Sequence, residues 1–303
     1  MSMGIINYEA QRCSSFVIRN SQFVIVILSS LFIACGGVIH TTITTIPEGD
    51  RITRVNDSLF ADVLGKTLQP DGAVSYNELH SDSELTDYLR QFALARTDVF
   101  TSRQAELAFW VNAHNAYVLD ILRLNLPIHS VSEIAGFQSI KVALVGGSFY
   151  SLEDIEHGII AKQFREPRAF FALFDGTRSS PPLRIEPYTE SHLSDQLNDQ
   201  ITRFLGDSTK NFIDRKANTI YLSQRFQEYS SEIEAVAGTM ATFLEAYAPP
   251  AMAGWITTHS TAKISYLSYD QTLYTSDIEA PHEQPVQQPP RKQPSRRSSG
   301  GIR

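Results

Sequence analysis

The stretch that decides the fold is Glu106–Leu124, which reads ELAFWVNAHNAYVLDILRL. Its apolar residues fall on most sides of a helix, which predicts a central helix buried in the core. Thr101 and Gln104 have the spacing of a capping box just ahead of it. Pro127 follows the stretch and marks its end, because proline cannot continue a helix. We therefore expect the rest of the chain to pack around this helix.

Shorter helices and strands are predicted on both sides of the central helix. Two earlier sets of apolar residues recur at helical spacing: Phe60, Val63, Leu64 and Leu68, then Leu85, Tyr88, Leu89 and Phe92. Later helices are expected from Leu152 and from Glu190. Strand patterns occur at 140–144 and 149–152 around a Gly-Gly hairpin turn, and at 169–174, 219–222 and 264–269. The predicted class is α+β, one mostly helical domain with a small sheet or hairpins.

Composition supports a folded domain flanked by segments of a different character. The chain has 303 residues, of which 42% are hydrophobic, enough for a sizeable core. Residues 36–50 are predicted to be a tether ahead of a globular domain at 51–275. Residues 276–303 are rich in Pro, Gln, Ser and Arg and are predicted to be a disordered basic tail.

The charge distribution argues against nucleic acid as a partner. The chain carries −7 in total, while residues 280–303 carry +4, which leaves −11 for everything before them. Binding to nucleic acid requires a basic face that neutralises phosphates. The basic tail is typical of a solvated chain end.

The N-terminus, residues 1–35, resembles an export signal that ends in a lipid-attachment site. Phe23–Ala34 is apolar except for two serines and follows two arginines. As a helix it would span roughly 18 Å, too short for a bilayer core but typical of a secretory signal. The run ends at Cys35-Gly36 and resembles the bacterial lipobox, in which the cysteine is acylated. The alternative is an uncleaved anchor in which Cys35 is one more apolar residue.

Lipidation at Cys35 would place the protein in the cell envelope. Cys13 and Cys35 are the two cysteines of the chain, so the predicted domain contains none and must be stable without disulfides. Gly36 stands where an aspartate would resemble an inner-membrane retention signal. The predicted location is the outer membrane, facing the periplasm, if the cell has two membranes.

The residues that could carry chemistry form no established motif. The sequence has no P-loop, no dinucleotide fingerprint and no metal-ligand spacing, so neither a cofactor nor a metal is predicted. Asn112 and Asn115 lie on one face of the central helix, and a buried amide needs hydrogen-bond partners. Asparagines that pin a neighbouring loop are the favoured interpretation, with a ligand or catalytic role as the alternative.

Two further stretches offer a base and a nucleophile. His157 lies near the start of a predicted helix, where a histidine can act as a general base or be structural. Ser180 and Arg178 lie in a loop after the predicted strand at 169–174, and such loops commonly carry sites. Ser180 can act as a nucleophile only with a base within hydrogen-bond reach. Ser-Pro-Pro is also favourable turn chemistry.

These same stretches resemble the family known as domain of unknown function 547, over roughly Leu59–Ile233. The matching motifs, in order, are Gly72–Tyr76, Phe109–Ala116, Asp154–His157, Pro167-Arg168, Phe171–Leu173 and Pro181–Leu183. The resemblance implies tyrosine as the usual residue at His114, histidine at Phe170 and cysteine at Ser180. A thiol–imidazole site at the last two positions would be lost in this chain.

Two hypotheses follow from the residues and the resemblance together. The first is a non-catalytic or degenerate domain, held at a membrane surface, that binds an envelope protein or a small-molecule ligand. The second is a hydrolase or acyl transferase that uses Ser180 with His157 and Asn112. A serine hydroxyl is a far weaker nucleophile than a thiolate, which favours the first hypothesis. A carrier role is a third possibility that no residue pattern favours.

Overall fold

The computed structural model describes residues 14–20, 23–29, 48–80 and 82–277. Its centre is helix α4, Arg103–Leu124, whose side chains from Leu107 to Arg123 are almost all buried. This is the central helix that the apolar pattern predicts. The domain around it is α+β and mostly helical, as predicted.

Helix α4 begins one residue later than the predicted capping box implies. The N-cap is Ser102, whose Oγ accepts a hydrogen bond from the N–H of Ala105 at 3.1 Å. Thr101 instead donates its hydroxyl to the carboxylate of Glu190, 3.0 Å away. Both adjacent hydroxyls donate to the Glu190 carboxylate, but only the Ser102 oxygen also accepts a backbone N–H of the first helical turn.

Eight further α-helices surround α4 in the described part of the chain. They are α1 Ser58–Thr67, α2 Tyr76–Leu79, α3 Ser83–Leu94, α5 Leu193–Gly206, α6 Gln224–Glu228, α7 Ser230–Ala237, α8 Met240–Tyr247 and α9 Pro250–Thr258. The faces of α1 and α3 that the sequence pattern marks as apolar are buried, apart from the partly buried Leu68 just beyond the end of α1. Short 3₁₀ turns occur at Glu48–Asp50, Val131–Glu133 and Pro167–Phe171.

The strands are short and form separate small sheets. Strands β3 (Ala143–Val145) and β4 (Ser148–Tyr150) form the predicted hairpin. Its turn is Gly146-Gly147, and both glycines have positive φ, as this hairpin geometry requires. Strands β5 (Phe212–Asp214), β6 (Thr219–Leu222) and β7 (Lys263–Tyr266) form a second sheet, antiparallel between β5 and β6 and parallel between β6 and β7.

Two predicted elements have a different conformation in the structure. The first half of the apolar run 169–174, predicted to be a strand, belongs to the 3₁₀ turn Pro167–Phe171, and the second half is irregular. Pro167 fits the first turn of a helix, and the Glu166 side chain accepts the N–H of Arg168 there. The helix predicted from Leu152 has π-helical geometry over Asp154–Ala161, which periodicity alone does not reveal.

The N-terminal segment contains a hairpin of β1 (Ser14–Asn20) and β2 (Phe23–Ser29), paired antiparallel. The export-signal interpretation implies a helix for the second of these runs. Its alternating valines and isoleucines, Val24–Ile27, favour a strand because β-branched residues suit extended backbone. Cys35, nearly all of the predicted tether and the tail from residue 278 lie outside the described residues. Within those that are described, no helix has the length and apolar character needed to cross a membrane.

Candidate functional site

The hydroxyl and the backbone N–H of Ser180 make their hydrogen bonds within the loop that contains the residue. Its hydroxyl accepts the backbone N–H of Asp175 at 3.0 Å and donates to the carbonyl of Pro181 at 2.9 Å. Its own N–H donates to Thr177 Oγ1 at 3.1 Å, and the residue is 2% exposed. Because a hydroxyl has one proton to donate, the Ser180 proton is directed to a carbonyl oxygen rather than to a base.

Asp175 organises the same loop through its carboxylate. One carboxylate oxygen accepts both the N–H and the hydroxyl of Thr177, at 3.0 and 2.7 Å. The other accepts a short hydrogen bond from the phenol of Tyr269. Gly176, between Asp175 and Thr177 in the chain, has a φ of +83°, a conformation that glycine adopts without strain. The loop is therefore fixed at both ends by side chains as well as by the backbone.

Phe170, where the resemblance implies a histidine, is a core residue in this chain. Its ring stacks on Tyr229 with the ring centroids 4.0 Å apart and an interplanar angle of 5°. It is 1% exposed, and its carbonyl accepts a hydrogen bond from Arg225 Nε at 3.1 Å. The position thus supplies packing and a backbone acceptor.

A buried ionic network, formed by Glu156, Arg225, Tyr229 and Asp175, lies beneath the Ser180 loop. Arg225 Nη2 donates to Glu156 Oε1 and to the Leu173 carbonyl, each at 3.1 Å. Tyr229 donates a short hydrogen bond to the same Glu156 oxygen. Arg225 Nη1 lies 3.8 Å from the Asp175 carboxylate. One guanidinium therefore ties the π-helix, the Ser180 loop and helix α6 together.

The network keeps Glu156 and Arg225 charged despite their burial. Burial, the largest single effect, would raise the pKa of Glu156, but the charge of Arg225 and the other groups around the carboxylate, including the Tyr229 hydrogen bond, together hold the pKa below its ordinary value. Burial would likewise lower the pKa of Arg225, yet the facing Glu156 carboxylate, together with Tyr229, Tyr269 and Asp175, raises it well above the usual value. Each charge therefore depends on its partner, since a buried ion without one is strongly destabilising.

The two histidines near this network differ in their surroundings. His157 is exposed, and its ring stacks on Tyr229 with centroids 5.6 Å apart. Within the described part of the chain, no hydrogen bond joins His157 to Ser180. His114 is buried, and its Nε2 has no hydrogen-bond partner in the described ranges and lies 3.9 Å from Glu156 Oε2. Burial lowers the pKa of His114, so its ring is neutral near pH 7.

Asn112 and Asn115 each hold a backbone segment against α4. Asn112 donates to the Tyr188 carbonyl at 2.8 Å and accepts the Tyr188 N–H at 2.9 Å. Asn115 donates to the Ala172 carbonyl and accepts the Phe174 N–H, both at 2.9 Å. Each amide thus satisfies one N–H and one carbonyl of an irregular backbone segment. This is the loop-pinning arrangement favoured from the sequence.

Arg178 faces solvent on the outer side of the Ser180 loop. The Arg178 guanidinium lies 5.6 Å from the ring centroid of Tyr274. The backbone N–H of Arg178 donates to the Thr272 carbonyl at 2.9 Å. The segment 270–277 that provides these contacts also bonds to Val74 and Val131. Arg178 thus joins the loop to the C-terminal end of the domain. These contacts do not involve the Ser180 hydroxyl.

A solvent-open cleft of about 280 Å³ lies against Asp175, which forms part of its lining. Its walls are the turn 131–139, the loop at Asp175 and Thr177, and the C-terminal residues Tyr269 and Gln271. Sequence patterns do not predict this cleft, because its three walls are far apart in the chain. In the described ranges, no three His, Cys, Asp or Glu side chains are grouped as metal ligands.

The structure therefore brings part of the predicted site together. Arg178 and Ser180 share one loop, whereas His157 stacks on Tyr229 and makes no hydrogen bond to Ser180 within the described residues. Asp175 and Glu156, which were not predicted as site residues, join this loop to the π-helix through Arg225. Arg225, Tyr229 and Tyr269 were not predicted. A single arginine among polar residues at 223–228 looks like an exposed helix residue, and only tertiary contacts reveal its burial.

Comparison with known families bears on this arrangement. Residues 99–205 match the model of the family described as Protein of unknown function, DUF547. Over these residues the chain is similar to a DUF547 domain. The match contains α4, the π-helix and the Ser180 loop, but it is narrower than the expected Leu59–Ile233. Neither the curated proteins nor the solved structures include a match to the chain.

Three members of the site lie outside the DUF547 match. Arg225, Tyr229 and Tyr269 come after residue 205, yet they contact Glu156 and Asp175 within it. The C-terminal third of the domain therefore completes the polar centre of the DUF547 region. Because the family is one of unknown function, the match itself assigns no activity.

Proposed function

We propose that the protein is a membrane-tethered envelope protein whose DUF547 domain binds a ligand or partner and does not use Ser180 as a nucleophile. The observation that carries the proposal is the Ser180 hydroxyl, which bonds to Asp175 N–H and Pro181 carbonyl within its own loop. An activated serine needs a base in hydrogen-bond contact. In this loop the hydroxyl has a structural task instead.

The surroundings of the loop support the same proposal. Phe170 packs on Tyr229 and has no group that transfers a proton. The buried charges of Glu156 and Arg225 are paired with each other. A fixed scaffold of this kind suits recognition, because a site built on rigid elements presents its groups without reorganisation.

Hydrolysis by the full chain tests the proposal. Wild-type protein should hydrolyse a panel of activated esters and peptides no faster than the Ser180→Ala variant does. Ser180→Ala should nevertheless lower the free energy of unfolding by about 1–3 kcal/mol, because the buried N–H of Asp175 loses its acceptor. Ser179→Ala, in the same loop, is the matched control for hydrolysis. Its hydroxyl accepts the N–H of Asp270 at an exposed position, so this variant should lose less stability than Ser180→Ala. Hydrolysis that disappears in Ser180→Ala and persists in Ser179→Ala would establish the alternative, a hydrolase or acyl transferase using Ser180 with His157.

Labelling with palmitate tests the tether. The apolar run that ends at Cys35, together with a domain free of cysteine, supports lipidation at that residue. In bacteria, radiolabelled palmitate should enter the wild-type chain and the Cys13→Ser variant but not Cys35→Ser. Equal label in Cys35→Ser would show that the anchor is not a lipid on this cysteine.

A further inference from the structure

The cleft beside Asp175 combines an apolar floor with a polar rim. Val131 and Phe137 are buried beneath it, and Ile134 is partly buried. The rim carries hydroxyl and amide groups, from Ser132, Ser139, Thr177, Tyr269, Gln138 and Gln271. A volume of about 280 Å³ is at the lower end of the range for small-molecule sites. The shape therefore suits a ligand of about one sugar ring.

The charge of the cleft has one sign. Asp175 is the only ionisable acid or base among the lining residues other than the Tyr269 phenol, and no lysine, arginine or histidine lines it. The cation behind this wall is Arg225, which is shared with Glu156 at 3.1 Å and with Glu228 at 3.9 Å. Three carboxylates thus surround one guanidinium. Carboxylates outnumber cations in this cluster, which favours a cation over an anion in the cleft.

The wall of the cleft also contains an acceptor without a donor, an oxygen that is itself shielded from solvent. Gln138 lines it, and the buried Gln138 Oε1 has no hydrogen-bond partner within the described chain. Its backbone carbonyl is already fixed by the N–H of Glu153 at 2.9 Å, so the residue is anchored at one end. A buried oxygen of this kind is stabilised when a ligand supplies an N–H or O–H.

From these features we infer that the cleft binds a small hydroxyl-rich molecule bearing a protonated amine. The ammonium faces the carboxylate side of the cleft. The hydroxyls bond to the amides and hydroxyls of the rim, and the ring face covers Val131 and Phe137. The inference rests on the proposed function, since it names the ligand class of a binding domain.

Two probes with the same ring and opposite charge test the inference. Glucosamine and glucuronate are titrated separately into the full chain and followed by saturation-transfer NMR. Glucosamine should bind with a Kd at least about fivefold lower than that of glucuronate, the factor expected from a partly exposed charge contact of ~1 kcal/mol. Ser139 is exposed and lines the cleft, so Ser139→Trp should fill it and weaken glucosamine binding by about fivefold or more. Ser208→Trp, at an exposed position that does not line the cleft, is the matched control and should leave the Kd unchanged.

Each other outcome overturns the inference. Absence of glucosamine binding, equal binding of glucuronate, or binding that Ser139→Trp does not weaken would show that the cleft is not this site. These results leave the proposed role of Ser180 intact, because that role is judged by hydrolysis. Conversely, hydrolysis that depends on Ser180 overturns the proposed function, regardless of how glucosamine and glucuronate bind.

Discussion

Replacing Arg225 by methionine is expected to lower the free energy of unfolding by about 3–5 kcal/mol at pH 7. The side chain is 3% exposed, and its guanidinium pairs with Glu156 and lies near Asp175. Methionine fills much of the volume but leaves both carboxylates buried without a cation. It also leaves the carbonyls of Phe170 and Leu173 without their donor. Urea unfolding followed by circular dichroism measures the loss.

The loss should depend on pH in a definite direction. In the wild type the pKa of Glu156 is lowered, so its contribution is present above the ordinary pKa and disappears as pH falls through the lowered value. In Arg225→Met, burial without the cation should raise the pKa of Glu156, so that the variant takes up a proton on folding. The deficit should therefore be smaller at pH 5 than at pH 7. Arg215→Met, at an exposed position, is the control and should change stability little. A deficit that stays constant between pH 5 and 7 would contradict the role assigned to the pair.

Replacing Gly176 by alanine is the second change with a large expected effect. A Cβ at this position would lie 2.3 Å from Leu122 Cδ1, a fully buried side chain of α4. The φ of +83° adds backbone strain for any residue with a side chain. Overpacking and strain together should lower the free energy of unfolding by about 2–4 kcal/mol.

Gly65→Ala provides the control of opposite sign. Gly65 lies inside α1 and is exposed, and a Cβ added there would meet no atom within 4 Å. Alanine there should raise the free energy of unfolding by about 0.5–1 kcal/mol, because it favours the helix. Denaturant unfolding of both variants checks the pair of predictions. A Gly176→Ala variant as stable as the wild type would mean that the Ser180 loop is not held tightly against α4.

Sequence patterns predict those parts of the fold in which local periodicity and burial agree. The apolar stretch of α4 is long enough to predict a buried helix. The pair Gly146-Gly147 between two apolar runs predicts a hairpin, since both positions need positive φ. The faces of α1 and α3 follow from their helical spacing.

The parts that were not predicted depend on contacts between distant residues or on local competition. The run 169–174 has the apolar character of a strand, but Pro167 and the Glu166 side chain start a 3₁₀ turn there. Arg225 lies 69 residues from Glu156 in the chain, so nothing local marks it as a buried partner. The sequence places Ser180 in a loop, but its hydrogen bonds, which decide what the hydroxyl does, are visible only in the structure.

The most direct test of the account is the reactivity of the Ser180 hydroxyl. A serine-directed fluorophosphonate is incubated with the folded full chain at pH 7, and the modified residues are identified by mass spectrometry. We expect no adduct on Ser180, because its proton is held by the Pro181 carbonyl and no base contacts it within the described residues. An adduct on Ser180 in the folded protein would contradict the claim that this residue is structural.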